Sequence, residues 1–174
     1  MGLSIKSPPS NNTENNPLKK VGCILMNTAS PNKNAIAVNI IVINDEEAKQ
    51  LSGKESLLDA AEEIQKFGLK YIIIKKGEHG AMLFGENQHF NLPAFPVKDV
   101  IDPTGAGDTF AGGLAGFLSE RKEISFESLK TAMEHGTVMA SFCVEKFGTL
   151  SMENLKKQEF INRLNLFKST QKKP

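Results

Sequence analysis

The sequence predicts an α/β fold, and three observations carry that prediction: the apolar runs AIAVNIIVI at 35–43 and KYIIIKK at 70–76, the helical pattern lying between them, and a largely helical stretch after about residue 105. Nearly continuous β-branched runs suit strands buried on both faces. Strand, helix, strand in that order calls for a crossover, hence a mostly parallel sheet with flanking helices.

The elements follow in order. The first 17 residues, MGLSIKSPPSNNTENNP, are polar and rich in Asn, Ser and Pro, and read as disordered. VGCIL at 21–25 has strand character, but the turn chemistry of NTASPNKN at 27–34 breaks it. After the strand at 35–43, Asn44 opens a short helix through DEEAKQL. A second helix spans about 55–67, with Leu57, Ala61 and Ile64 on one face and Gly68 as its C-cap. Beyond the strand at 70–76, GAMLFG and QHFNLP flank Gly85-Glu86-Asn87 and form an antiparallel edge hairpin. Pro93 and Pro96 hold an extended connector up to Val100. Helices follow at about 106–120, 126–146 and 153–166, with a break marked by Gly148 and Glu153. The helix at 126–146 is apolar on most of its circumference and is expected to lie buried against the sheet.

Bulk properties exclude several function classes. The 174 residues carry a formal net charge of +1, which provides no field for nucleic acid or an acidic membrane surface. A composition of 40% hydrophobic and 24% charged residues is that of an ordinary globular protein, and no apolar run reaches membrane-spanning length. Cys23 and Cys143 form neither a CxxC pair nor a disulfide framework, which fits a reducing compartment, the cytoplasm by default. The N-terminus lacks a basic start followed by an apolar stretch, and Lys6 stands where a myristoylation pattern on Gly2 needs Ser or Thr.

The segment VIDPTGAGDTFAGGLAGF, 100–117, concentrates glycines at 105, 107, 112, 113 and 116 in an otherwise helical pattern. Each helical glycine costs about 1 kcal/mol relative to alanine, so the run needs a reason. Pro103 biases Asp102 toward extended geometry, and Thr104 starts a turn. The helix then begins at the glycines, whose amides have no internal partner and form a ready anion site. Asp108 sits in the first turn beside it. A carboxylate there either complements the helix dipole or takes a proton from a hydroxyl that attacks phosphorus. The Walker pattern is excluded, because no Lys followed by Ser or Thr succeeds its last glycine. The dinucleotide fingerprint is excluded by Phe110, where it needs glycine.

The string DPTGAGDTFAGG closely resembles the C-terminal signature of the ribokinase-like (PfkB) family of carbohydrate and nucleoside kinases. The resemblance implies a partial ribokinase-like three-layer sandwich, mostly parallel with flanking helices and an edge hairpin. It implies Asp108 as catalytic base and Gly105, Ala106 and Gly107 as anion hole. Asp102, with Thr104, falls where some members hold a monovalent cation such as K+. NDEE, Asn44 to Glu47, resembles the family element that organises Mg2+ through water; the same pair is equally a helix capping box. KKGEHG resembles the nucleotide loop: Gly77 and Gly80 match, while Lys75 replaces the usual Thr and offers a phosphate a point charge. Thr137, in the helix that borders adenine, completes the nucleotide set. His79, His89 and His135 show no ligand spacing.

The resemblance covers about 35–165, the C-terminal half of such a kinase, and omits the half that holds most sugar contacts. Residues 1–34 read as an atypical segment, of the kind left by truncation or frame disruption, followed by the kinase unit at 35–168 and a tail at 169–174. The expected function is ATP-dependent phosphoryl transfer, with Mg2+, to a hydroxyl of a sugar or nucleoside-like acceptor. Neither nucleic acid nor a membrane is expected as partner, and the pairing edge left by a missing half leaves room for homo-oligomers. Two alternatives stand: a truncated, non-catalytic nucleotide-binding remnant or interaction module, and a vitamin-precursor kinase on the same fold, a group that generally departs from GAGD.

Overall fold

The computed structural model describes residues 3–6, 24–28, 39–148 and 150–171. The strands are β1 (Leu3–Lys6), β2 (Ile24–Thr28), β3 (Asn39–Asn44), β4 (Tyr71–Lys75), β5 (Ala81–Gly85) and β6 (Gln88–Leu92), and they lie in sheet order β1-β2-β3-β4-β5-β6. The helices are α1 (Asp45–Ser52), α2 (Leu57–Gln65), α3 (Ala106–Ser119), α4 (Phe126–Cys143), the single turn α5 (Leu150–Glu153) and α6 (Lys157–Gln171).

The α/β class with flanking helices and an edge hairpin is as expected, but the sheet is mixed. Among the described strands only β3 and β4 pair in parallel, with Ile41 opposite Ile72 and Asn44 opposite Lys75. The connection lengths decide this. Parallel pairing needs a crossover, which α1 and α2 supply between β3 and β4, whereas β4, β5 and β6 are joined by tight loops that force antiparallel neighbours. The last loop is Glu86-Asn87, with φ of 52° and 59°, the left-handed pair of a two-residue hairpin turn.

Alternation along the two central strands divides the core. Ile40, Val42, Tyr71 and Ile73 point to one face, where α3, α4 and α6 supply Phe110, Leu114, Leu129, Met133 and Phe167. Ile41, Ile43, Ile72 and Ile74 point to the other, against Ala48, Ala60, Ala61 and Ile64 of α1 and α2. Helices on both faces explain why β3 and β4 read as unbroken apolar runs.

Several boundaries move. The expected strand at 35–43 is described from Asn39 to Asn44, and its first four residues lie outside the described set. The strand character seen at 21–25 appears as β2, shifted toward Thr28; residues 21–23 are outside the described set, as are most of 1–34. The second helix starts only after Ser56, whose hydroxyl caps it, and ends at Gln65 with Lys66, two residues before Gly68, as its C-cap. The long helix stops at Cys143, and the last one runs 157–171 rather than 153–166.

α3 and α4 cross at two glycines. A Cβ on Gly136 would stand 2.6 Å from the Phe110 carbonyl oxygen, and one on Gly113 would stand 3.0 Å from the Gly136 Cα. These contacts fix α3 against α4 at backbone distance.

Candidate functional site

A cleft of about 530 Å³ opens between the loop after β4, the proline connector, the first turn of α3 and the C-terminal half of α4. Of the residues singled out from sequence, Lys75, Gly77, Gly80, Ala106, Gly107 and Thr137 line it. It lies at the carboxyl end of the parallel pair, where open α/β sheets place their ligands.

The loop that leads into α3 is built from the chain's own local chemistry. Asp102 Oδ1 accepts the Thr104 N–H at 2.9 Å and Oδ2 accepts the Gly148 N–H at 3.4 Å. Hydrogen bonds from Thr104 foremost, then from Gly148, hold the Asp102 carboxyl below its ordinary pKa. The Val144 carbonyl takes the amides of Ile101 and Asp102, at 2.8 and 3.3 Å, so the entry to α3 is pinned to the end of α4. Gly105 caps α3 in the left-handed region, φ 80°, a conformation that needs glycine. The Cys143 thiol donates to the Thr104 carbonyl at 3.5 Å behind it.

Gly107 is where two elements meet. A Cβ there would stand 2.8 Å from Lys75 Nζ, so the ammonium lies against the first turn of α3. The Lys75 ammonium has no hydrogen-bond or ion-pair partner among the described residues. A lysine cation without an ion-pair partner, set against the N-terminal turn of a helix that also carries Asp108, is an arrangement that an anion completes. The glycine run thus has separate causes: conformation at 105, close approach at 107, helix packing at 113. Gly112 and Gly116 meet open space.

Gly77 and Gly80 both have positive φ, 55° and 87°, and form a tight loop in which the Lys76 N–H donates to the Gly80 carbonyl at 2.7 Å. At Gly80 a Cβ would collide with the Leu92 carbonyl oxygen at 2.0 Å, so the loop is fixed against β6. Thr137 is buried at 7% exposure, and its hydroxyl has no partner among the described residues. It is an orphaned polar atom in the cleft wall, suited to a ligand hydrogen bond.

The remaining candidates sit at the margins. Asp108 is exposed in the first turn of α3, just beyond the cleft lining, without a hydrogen-bond or ion-pair partner among the described residues. Asn44 and Glu47 bind each other: the Glu47 N–H donates to Asn44 Oδ1 and the Asn44 N–H donates to Glu47 Oε2, both at 2.7 Å. The capping box is therefore present, and one Glu47 carboxylate oxygen is left for other use. Asn44 stands opposite Lys75 in the sheet, which brings this pair to the same end of the strands. No group of three or more acidic, His or Cys side chains among the described residues forms a metal cage, so a divalent ion here would rely on water and on its ligand's own oxygens.

Sequence reasoning missed the apolar wall of Phe95, Pro96, Val97 and Val100, which faces Ala140, Ser141 and Val144 of the helix expected to border the base. The two prolines of the connector are the signal available for it. No described helix is long and apolar enough to cross a membrane.

Comparison with known proteins matches this geometry. The model of the pfkB family of carbohydrate kinases matches residues 22–156. The cytidine kinase of Thermococcus kodakarensis is 34% identical over 118 residues, 66% of this chain and 40% of that protein. A ribokinase from Staphylococcus aureus is 34% identical over 125 residues, 69% of this chain and 40% of that protein. The crystal structure of aminoimidazole riboside kinase from Salmonella enterica, complexed with aminoimidazole riboside and an ATP analogue, superposes with a TM-score of 0.61 at 34% identity, over 74% of this chain and 41% of that one. The chain thus spans about two fifths of the length of these relatives. With most of its length matched by the family model, and its helices and sheet arranged as in a solved relative, the chain belongs to the pfkB family of carbohydrate kinases.

Proposed function

We propose that the chain is the nucleotide-binding and catalytic portion of a kinase that transfers a phosphoryl group from ATP to a hydroxyl of a sugar or nucleoside-like acceptor. The observation that carries this reading is the uncompensated Lys75 ammonium against Gly107 at the N-terminus of α3. Lys75 and the amides of Gly105, Ala106 and Gly107 would hold the triphosphate and take up charge on the moving group. Gly77, Gly80 and Thr137 would border the rest of the nucleotide. Asp108 would take the proton of the acceptor hydroxyl as its oxygen bonds to the terminal phosphorus and the bond to ADP breaks. Asn44 and Glu47 would orient Mg2+ through water, and Asp102 with Thr104 would border a K+ ion; these cations supply charge neutralisation when bound. The relatives are named for furanose compounds, ribose, cytidine and aminoimidazole riboside, which supports an acceptor of that kind. We place residues 35–168 in one catalytic unit, and the cytoplasm as its compartment on the grounds of cysteine usage.

The test is Asp108→Asn, assayed on a panel of sugars and nucleosides with ATP binding measured in parallel. The expected result is loss of transfer with ATP affinity kept. Equal loss of both removes the assigned role.

A second reading has its own observation: Asp108 lies outside the cleft lining. A nucleotide-binding module without transfer activity fits it. Tight ATP binding with no turnover on any acceptor favours it.

A further inference from the structure

Arg163, on α6, does not line the cleft, yet it grips both of its apolar walls. Its Nη1 donates to the Ser141 hydroxyl at 3.0 Å, and Nη2 donates to both Glu145 carboxylate oxygens at 3.2 and 2.9 Å. The guanidinium carbon lies 3.6 Å from the centre of the Phe142 ring and 5.2 Å from that of Phe95. Phe95 belongs to the proline connector, Ser141 and Phe142 to the end of α4, and Glu145 to the turn that follows it. One side chain therefore joins the two segments that face each other across the cleft.

The chemistry of the grip is specific to arginine. One nitrogen of the planar fork serves the Glu145 carboxylate and the other the Ser141 hydroxyl while the face stacks on the Phe142 ring, a combination that a lysine ammonium cannot reproduce. Ser141 is 5% exposed; its hydroxyl donates to the Val138 carbonyl at 2.7 Å and accepts from Arg163, so both of its capacities are used within the protein. That leaves the α4 wall apolar beside Thr137, a surface for a flat ring rather than for phosphate.

We propose that Arg163 is a positioning residue that sets the spacing of these walls for the base of the nucleotide, acting through Ser141, Phe142 and Phe95 without touching the ligand. The proposal rests on the nucleotide reading above. It separates two parts of the cleft: the phosphate end, held by Lys75 and the first turn of α3, and the base walls, held by Arg163.

The experiment is isothermal titration of the full chain with ADP and, separately, with tripolyphosphate, for wild type, Arg163→Lys and Glu145→Gln. Arg163→Lys is expected to weaken ADP about tenfold and to leave tripolyphosphate within about twofold. Glu145→Gln, a change at a side chain 34% exposed, takes the charge and one acceptor oxygen from one anchor of the fork while sparing the fold and is expected to shift ADP in the same direction by a smaller factor. ADP affinity unchanged in both variants overturns the proposal, and so does an equal loss of ADP and tripolyphosphate, which marks a general loosening. A wild type that binds tripolyphosphate and not ADP overturns the nucleotide reading itself, a result distinct from the other two.

Discussion

Gly107→Ala separates what holds the fold together from what binds the phosphate. Gly107 is helical and has no positive φ, so alanine fits its backbone and is favoured there by up to about 1 kcal/mol. The added methyl meets a single atom, Lys75 Nζ at 2.8 Å, the far end of a flexible side chain. The lysine can swing away at little cost, so the fold is expected to gain slightly, a Tm rise of about 2–3 °C for a chain of 174 residues. The site loses. The methyl stands in the cleft where the phosphate would approach, and Lys75 is pushed off it. A charge-assisted hydrogen bond is worth about 1.5–3 kcal/mol, so nucleotide affinity should fall roughly 10- to 100-fold. Thermal melting and ADP titration on the same preparation read both effects. A variant that binds ADP as tightly as wild type refutes the assignment of this turn and Lys75 to the phosphate, and one that melts lower than wild type refutes the cheap displacement of the Lys75 side chain.

Gly136→Ala is the opposite case: its methyl meets the Phe110 carbonyl oxygen at 2.6 Å, which is backbone, so a loss of about 1–3 kcal/mol is expected in urea unfolding. Glu47→Gln discriminates the cap from a metal role, since glutamine serves a capping box as well as glutamate does; stability should stay within about 0.5 kcal/mol while the Mg2+ concentration for half-maximal activity rises, and no change in Mg2+ dependence assigns Glu47 to capping alone. His135 lies between the rings of Phe117 and Phe160, 4.6 and 5.4 Å centre to centre, and burial first, then Lys168 and Arg121, lower its pKa from 6.5. A base whose folded-state pKa is lowered contributes stability that is complete above the unfolded value and is lost as pH falls toward the folded one. Urea midpoints should therefore decline from pH 7 to pH 5, and His135→Gln should flatten that slope.

The sequence by itself determined the family signature and the α/β class. β-branched runs without alternation can only be buried on both faces, the DPTGAGD string places bare amides at a helix start, and Asn44 with Glu47 cannot avoid capping α1. These are local properties, set by residues within a few positions of one another. Strand direction was less legible: the sheet is mixed because the tight loops on either side of β5 leave no room for a crossover, a point of connection length more than of composition. Element ends moved by a few residues wherever a cap such as Ser56 competed with periodicity. Only the tertiary structure decided which residues meet. That Lys75 lies against Gly107, that Gly113 and Gly136 bring α3 and α4 into backbone contact, and that Arg163 spans Phe95 and Glu145 are facts about residues 18 to 68 positions apart. No local pattern encodes them, because the spacing between them is fixed by how the helices pack on the sheet.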